Sequence, residues 1–337
     1  MRKRRERHAR IAALSFLSLL ALAVPSARAQ QDVYKGKTIR LIVGQAAGGG
    51  YDTYGRLISR YLQKYLPGSR VVVRNVPGAG HIVGANTIYA AKADGLTIGM
   101  FNTGLIYDQL IKRQGVLFDL SKFSWIGKAA DDTRVLMISK SSNLKSIDDV
   151  IKSKTPIKFA AAGVGSAAYN DTKILADALH LNVQIVPGFS GNEGEMSMLR
   201  NEVVAEVGTA ESLEQFVKQG HGYFALALSG DPTSLPGVPR ASQYVKDDHG
   251  KRLLALVETL SEIGRLTAGP PGIPAAVLAA ERDALNAAMK DPQLLAEAKK
   301  LDLQIDPASG EVVETRIKAA LNQPPETVAA LKSAAGG

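Results

Sequence analysis

Three glycine-rich segments carry the residues whose types and spacing point most directly to chemistry. They are Gly48-Gly49-Gly50-Tyr51-Asp52-Thr53, Gly163-Val164-Gly165-Ser166 and Phe189-Ser190-Gly191. Glycine lets backbone N–H groups approach a bound molecule, and the N-terminus of a helix favours an anion. We therefore expect these segments to hold a carboxylate. The alternative interpretation is that each glycine run only makes a tight turn between a strand and a helix.

The segment Gly78-Ala79-Gly80-His81-Ile82-Val83-Gly84 resembles a dinucleotide-binding fingerprint but departs from it. Its glycines are spaced GxGxxxG, and the acidic residue expected about 20 positions later, to hold a ribose, is missing near Asn102. Ser166 follows a turn but lacks the GxSxG pattern of a nucleophile. Nucleotide binding and hydrolase chemistry are therefore disfavoured.

The histidines give no sign of a metal centre. His81, His180, His221 and His249 are scattered, with no spacing of the HExxH type. The chain has no cysteine, so disulfides and thiolate metal sites are excluded. We expect no metal, no cofactor and no catalytic residue.

The hydrophobic pattern alternates between short β-branched runs and helical spacing. This alternation predicts two α/β units in series, each a mostly parallel sheet flanked by helices. The glycine-rich segments then lie at the carboxyl ends of strands, where open α/β sheets bind ligands. The predicted strands cover 38–43, 71–73, 97–101, 135–139, 157–161, 183–186, 203–207 and 224–228, and helices dominate from about 274.

The N-terminus has the pattern of a secretory signal. A basic start is followed by the apolar run 11–24 and by Ala27-Arg28-Ala29, a small-residue cleavage site. A membrane anchor or a buried first helix is the alternative. Residues 1–29 hold seven Lys or Arg and one Glu, so only about +3 of the formal charge of +9 belongs to the mature chain. That balance removes the main argument for nucleic-acid binding.

The order of several motifs resembles one known family. Asn75-Val76-Pro77-Gly78-Ala79-Gly80 is followed by Asp94-Gly95-Leu96-Thr97, and Gly49-Gly50-Tyr51-Asp52 precedes both. Leu235-Pro236-Gly237-Val238-Pro239 and Gly269-Pro270-Pro271-Gly272-Ile273-Pro274 come later. The chain resembles the extracytoplasmic solute receptors of tripartite tricarboxylate transporters, often called Bug receptors.

The resemblance implies a two-lobed periplasmic binding protein of α/β class with a ligand cleft between the lobes. The expected organisation is a signal peptide at 1–29, lobe 1 at 30–131 plus about 255–337, and lobe 2 at about 132–254. Such a receptor captures a small solute in the periplasm, passes it to a membrane permease and catalyses nothing. It is a monomer by default.

Carrying the resemblance over residue by residue gives the expected ligand-binding set. These residues are Gly48, Gly49, Gly50, Tyr51, Asp52, Thr53, Thr103, Gly163, Val164, Gly165, Ser166, Tyr169, Ser190, Gly191 and Thr209. The expected ligand is a mono- or dicarboxylate. For Asp52, capping of the first helix is the main interpretation and contact with a ligand cation the alternative.

The sequence also departs from the family pattern. Phe189-Ser190-Gly191 stands where Tyr-Arg-Gly is common, and Tyr169-Asn170 where a histidine is common. Gly208-Thr209 replaces a stretch that often carries an aspartate able to serve a ligand amine, which argues against an amino acid. Tyr51, Phe101 and Tyr169 are candidates to line a pocket for an aromatic acid, with ordinary packing as the alternative.

Two other functions stay open. An exported sensor that signals to a partner protein would need the same closing cleft, and only neighbouring permease genes would distinguish transport from sensing. A nucleotide-dependent α/β enzyme is disfavoured by the missing ribose acid and the missing catalytic residues.

Overall fold

The computed structural model describes residues 34–335. The predicted signal peptide and its cleavage site lie outside the described residues. Two sheets and their flanking helices make up the described chain. The strands are β1 (Thr38–Val43), β2 (Arg70–Asn75), β3 (Thr97–Phe101), β4 (Ser124–Lys128), β5 (Arg134–Ser139), β6 (Ile157–Ala161), β7 (Val183–Pro187), β8 (Ala205–Thr209), β9 (Gly222–Ala227), β10 (Leu266–Gly269) and β11 (Ala308–Ser309).

The helices alternate with these strands through most of the chain, as the hydrophobic pattern predicts. They are α1 (Gly50–Tyr65), α2 (Ile82–Tyr89), α3 (Gly104–Leu110), α4 (Ile147–Ile151), α5 (Ala167–Ala178), α6 (Glu193–Leu199), α7 (Ala210–Lys218), α8 (Asp248–Ser261), α9 (Ala275–Met289), α10 (Pro292–Lys300), α11 (Gly310–Leu321) and α12 (Pro325–Ala335).

The first sheet has the strand order β11-β4-β10-β3-β1-β2. Strands β1, β2 and β3 pair in parallel, whereas β10 runs antiparallel to both β3 and β4. Helix α1 lies close on this sheet because Gly55 has no side chain. A Cβ there would lie 2.8 Å from Val43 Cγ2.

The second sheet has the order β7-β6-β8-β5-β9. Strands β6, β7 and β8 are parallel, and β5 runs antiparallel between β8 and β9. Every residue of β5 is buried, as expected of an inner strand. The predicted α/β class with two helix-flanked sheets is confirmed, and both sheets are mixed rather than wholly parallel.

The chain passes from one sheet to the other at residues 129–133, between β4 and β5, and again at 262–265, between α8 and β10. The crossings are hydrogen-bonded to each other: Asp132 N–H donates to the Ser261 carbonyl at 2.8 Å, and Ala129 N–H donates to the Arg265 carbonyl at 3.2 Å. Gly264 makes this approach possible, since a Cβ there would lie 2.6 Å from the Asp132 carboxyl carbon.

The C-terminal helices are divided between the two sheets. Helix α9 packs on α1 and β4, and α11 also packs on β4. Helix α12 instead packs on α5 and α8, beside the second sheet. The exact lobe boundaries stay a prediction.

Within residues 34–335, no helix is both long and apolar enough to cross a membrane.

Candidate functional site

A cleft of about 90 Å³ lies between the two sheets, at the carboxyl ends of their parallel strands. Its walls come from the segments that follow β1, β2, β3, β6 and β7, from the start of β5, and from the end of β8 with the helix after it. Its lining residues are Gln45, Gly48, Gly49, Gly50, Tyr51, His81, Asn102, Arg134, Ala162, Ser166, Ala167, Ala168, Phe189, Gly191, Asn192, Glu195, Glu206, Gly208, Thr209, Ser212 and Leu213.

Three helices of more than eight residues, α1, α5 and α7, begin at this cleft. Because the first N–H groups of a helix have no carbonyl partner within it, they carry partial positive charge. Ser166 caps α5, its Oγ accepting the Tyr169 N–H at 3.1 Å. Thr209 caps α7 in the same way. The convergence of three N-termini makes the cleft favourable for an anion.

Arg134 adds a full positive charge to the wall. It is only 5% exposed, and its Nε donates to Asp171 Oδ2 at 2.6 Å. Burial lowers the pKa of Arg134, but Asp171 and Asp132 outweigh it and the pKa is raised overall. Within the described chain its Nη2 has no hydrogen-bond partner. A guanidinium held charged with a free donor is suited to an anionic ligand.

A second buried arginine, Arg265, contacts residues of the cleft wall. Arg265 forms an ion pair with Asp132 at 3.2 Å and donates from Nη2 to Thr209 Oγ1 at 3.0 Å. Its guanidinium lies 4.2 Å from the centroid of the Tyr51 ring, and the Tyr51 hydroxyl donates to Asp132 Oδ2 at 2.7 Å. The network fixes Tyr51 and Thr209, which both line the cleft.

His81 is a neutral component of the wall. It is buried, and burial together with nearby Arg265 lowers its pKa to about 4. Its ring meets Tyr51 edge to face at 5.4 Å between centroids. At neutral pH the imidazole is therefore uncharged.

Two carboxyl groups, Glu195 of α6 and Glu206 of β8, face the same cleft. The Oε2 atom of each is buried and unpartnered within residues 34–335. Burial raises the pKa of both, and the proximity of Glu195 further raises that of Glu206. Gly194 leaves room for the pair, since a Cβ there would overlap Glu206 Oε2.

The structure brings about half of the expected binding residues into the lining of the cleft. Those lining it are Gly48, Gly49, Gly50, Tyr51, Ser166, Gly191 and Thr209, and those outside the lining are Asp52, Thr53, Thr103, Gly163, Val164, Gly165, Tyr169 and Ser190. For both groups, contact with a ligand stays a prediction.

Several expected binding residues that do not line the cleft form hydrogen bonds within the protein, and these bonds explain their positions. Asp52 accepts from Gly48 N–H at 3.0 Å, Asn75 Nδ2 at 2.9 Å and Arg56 Nε at 2.9 Å, and so holds the first glycine loop in place. Ser190 Oγ accepts the Ala46 N–H at 3.0 Å. Tyr169 lines a separate outer groove.

Sequence reasoning missed the charged residues of the cleft. Arg134, Glu195 and Glu206 match no motif and are distant from one another in the chain. The one available signal was Glu206 in the strand Ala205-Glu206-Val207-Gly208, since residues two apart share a strand face. Gly208 and Glu206 do both line the cleft.

The two walls touch at the mouth of the cleft. A Cβ on Gly80 would overlap the Ser166 backbone nitrogen, and one on Gly49 would lie 2.9 Å from Gly191 Cα. Together with the Ala46–Ser190 hydrogen bond, these contacts describe a closed arrangement.

Comparison with known proteins gives a family match and relatives that span most of the chain. The family model for the "Tripartite tricarboxylate transporter family receptor" matches residues 55–320. A "UPF0065 protein in tcbD-tcbE intergenic region" of Pseudomonas sp. (strain P51) is 26% identical over 89% of this chain and 88% of its own length. "Protein BugT" of Bordetella pertussis is 27% identical over 68% of this chain and 71% of its own.

Solved structures share the fold. The periplasmic binding protein BugD superposes with a TM-score of 0.75 at 22% identity, covering 89% of this chain and 98% of its own. MatC of Rhodopseudomonas palustris with bound malate has a TM-score of 0.72 at 19% identity, and the match covers 87% of this chain and 99% of MatC. Rpa4515 of R. palustris with adipate has a TM-score of 0.69 at 16% identity, and the match covers 89% of this chain and 97% of Rpa4515.

Proposed function

The chain belongs to the family of tripartite tricarboxylate transporter receptors, and on that basis we propose that it captures a small organic anion with at least one carboxylate in the cleft between its sheets. The family is one of solute-binding receptors rather than enzymes. The observation that carries the proposal is that three helix N-termini meet at one closed cleft, which is also lined by Arg134, whose Nη2 has no hydrogen-bond partner within residues 34–335.

The chemistry of the cleft supports a carboxylate specifically. The N–H groups at helix N-termini and a guanidinium are the donors that proteins use for carboxylates and other oxyanions. The structures of MatC and Rpa4515 contain malate and adipate, which are dicarboxylates. A cleft of about 90 Å³ matches a small acid better than a dinucleotide.

The proposed physiological role is to bind this acid in the periplasm, as a monomer, and to deliver it to a tripartite membrane permease. The family match supports this role. Delivery requires the two walls to separate, and the two hydrogen-bonded crossings at 129–133 and 262–265 are the natural place for that motion.

A thermal-shift screen of the purified protein against mono- and dicarboxylates tests the proposal. An acid at 100 times its Kd should add about 2.7 kcal/mol to the free energy of unfolding. Arg134→Lys keeps the charge but loses the planar fork, and should remove most of the shift. Arg240→Lys, outside the cleft lining, is the matched control. A protein stabilised by a dinucleotide and by no carboxylate would contradict the proposal.

A further inference from the structure

Helices α3 and α5 meet beside the cleft although they are attached to different sheets. Helix α3 follows β3 and is held to the first sheet by α11, which packs on β4. Helix α5 follows β6 and packs on β6, β7 and β8 of the second sheet. Their first turns touch, since a Cβ on Gly104 would lie 2.5 Å from the Ala167 backbone nitrogen. Separation of the two walls of the cleft therefore breaks this contact.

A buried polar network joins the two helices at this contact. Asn170 of α5 is fully buried, and its Nδ2 donates to Asp108 Oδ1 of α3 at 3.2 Å. Its Oδ1 accepts from Nη2 of Arg113, which lies in the segment after α3, at 3.0 Å. Arg113 Nε in turn donates to Asp108 Oδ1 at 2.6 Å. Both ends of one amide group are therefore bonded across the boundary between the sheets.

Arg113 makes a second bond across the same boundary. Its Nη2 also donates to the carbonyl of Ala335, the last residue of α12, at 3.0 Å. Helix α12 packs on α5 and α8, beside the second sheet. Hydrogen bonds that involve charged groups and are shielded from water contribute more to stability than exposed neutral ones. The network therefore favours the arrangement in which the two walls are together.

The same network reaches the wall of the cleft. Asn170 Nδ2 donates to the Gly165 carbonyl at 3.0 Å, and Gly165 precedes Ser166, the N-cap of α5 that lines the cleft. A Cβ on Gly165 would lie 2.9 Å from Asp108 Oδ2, so this loop lies directly against α3. Asn170 itself is outside the cleft lining. Its effect on a bound solute is therefore to hold in place the helix start that faces the cleft.

We propose that Asn170, Asp108 and Arg113 form a latch between the two walls, which is made after a solute has entered and slows its release. Asn170 is a positioning residue of this latch. The inference rests on the proposed function and adds the residues that set the lifetime of the complex. A solute enters while the walls are apart and the latch bonds are unmade, so these bonds leave the association rate unchanged. Dissociation requires the bonds to break, so the latch acts on the dissociation rate.

Surface plasmon resonance on the immobilised protein tests the latch, with malate, succinate and adipate as probes. Asn170→Ala should raise the dissociation rate constant by about tenfold or more and change the association rate constant by less than about threefold. Arg113→Met keeps a long side chain but removes its donors, and should have the same effect. Asn182→Ala is the matched control, because Asn182 Nδ2 donates to the Lys154 carbonyl at 3.0 Å beside the second sheet alone.

The double variant distinguishes a shared latch from two independent structural losses. If Asn170 and Arg113 act through one set of bonds, the combined substitutions should raise the dissociation rate constant by less than the product of the two single effects. Thermal melting of the variants without a probe measures any general loss of stability separately.

The possible outcomes are distinct. The latch is wrong if both folded single variants release the probes at the wild-type rate, or if their loss of affinity lies in the association rate constant. It is also wrong if the two single effects multiply in full in the double variant. If Asn170→Ala does not fold, Arg113→Met decides the matter alone. If the wild-type protein binds no carboxylate, the proposed function itself is contradicted, and the latch with it.

Discussion

The buried charged side chains differ in how many of their polar atoms have a hydrogen-bond or ion-pair partner. Arg265 pairs with Asp132, donates to Thr209 and lies beside two tyrosine rings, although its Nη1 has no hydrogen-bond partner within residues 34–335, and Asp52 has three donors. Among the described residues, Arg134, Glu195 and Glu206 have atoms without a hydrogen-bond partner, and all three line the cleft. The contacts of Arg265 and Asp52 hold the scaffold in place, whereas unpartnered atoms of residues that line the cleft are available to a ligand.

Glu281 is a buried carboxyl group outside the cleft lining, and its environment predicts a pH-dependent stability. It is 2% exposed, and burial raises its pKa to about 8, despite the Tyr34 hydroxyl that donates to Oε1 at 3.0 Å. Between about pH 4.5 and 8 the folded state keeps a proton that the unfolded state has lost. The contribution of Glu281 to stability is therefore full at low pH and falls as pH rises through this window.

We expect Glu281→Gln to gain stability over wild type as pH rises from 5 to 8.5, by on the order of 1–3 kcal/mol. The Gln carbonyl can still accept from Tyr34, so little should change at pH 5. Urea unfolding at both pH values measures the difference, with the exposed Glu258→Gln as control. A difference that stays constant or shrinks with pH would contradict this assignment.

At the scale of the elements, glycines set how closely the two walls of the cleft approach. Gly80 has φ +60°, and a Cβ there would overlap the backbone of Gly165 and Ser166 on the opposite wall. Backbone cannot rotate away as a flexible side chain can. The closed arrangement therefore requires glycine at this position.

Gly80→Ala should weaken binding of any cleft ligand by at least tenfold, because the added methyl group holds the walls apart. Gly36→Ala is the matched control: its φ is +71° and a Cβ there meets nothing within 4 Å, so it has the same backbone strain without the overlap. Titration calorimetry of both variants measures the loss of ligand affinity, and thermal melting measures the loss of stability that backbone strain causes. Equal affinity in the two variants would show that this contact does not matter for binding.

Features set by interactions between sequence neighbours could be predicted from the sequence, whereas features set by contacts between distant residues could not. Strand–helix alternation and the start of α5 depend on neighbouring residues, and the sequence pattern indicated them. The expected N-cap of α1 was wrong, because the helix begins at Gly50 with Gly49 as its N-cap, and Asp52 lies in the first turn. The sequence pattern did not indicate the pairing of Arg134 with Asp171, or the meeting of Glu195 with Glu206. Those contacts join residues that only the folded sheet brings together, and no local pattern marks them.

At the scale of the whole molecule, the two sheets are joined by two adjacent crossings and enclose one cleft that both of them line. The Asp132–Arg265 ion pair connects these crossings, and Arg265 also reaches Thr209 at the end of β8. A ligand between the sheets would therefore contact both walls while the crossings stay fixed. This is the arrangement expected of a receptor that closes around its solute.

Hydrogen–deuterium exchange, with and without the acid that gives the largest thermal shift, measures directly whether a ligand binds between the two sheets. We expect slower exchange to appear together in segments 46–51, 166–168 and 206–213, which belong to opposite walls of the cleft. Segment 173–183, beside the outer groove that Tyr169 lines, should exchange at an unchanged rate. Protection confined to one wall, or to the outer groove, would contradict binding between the sheets.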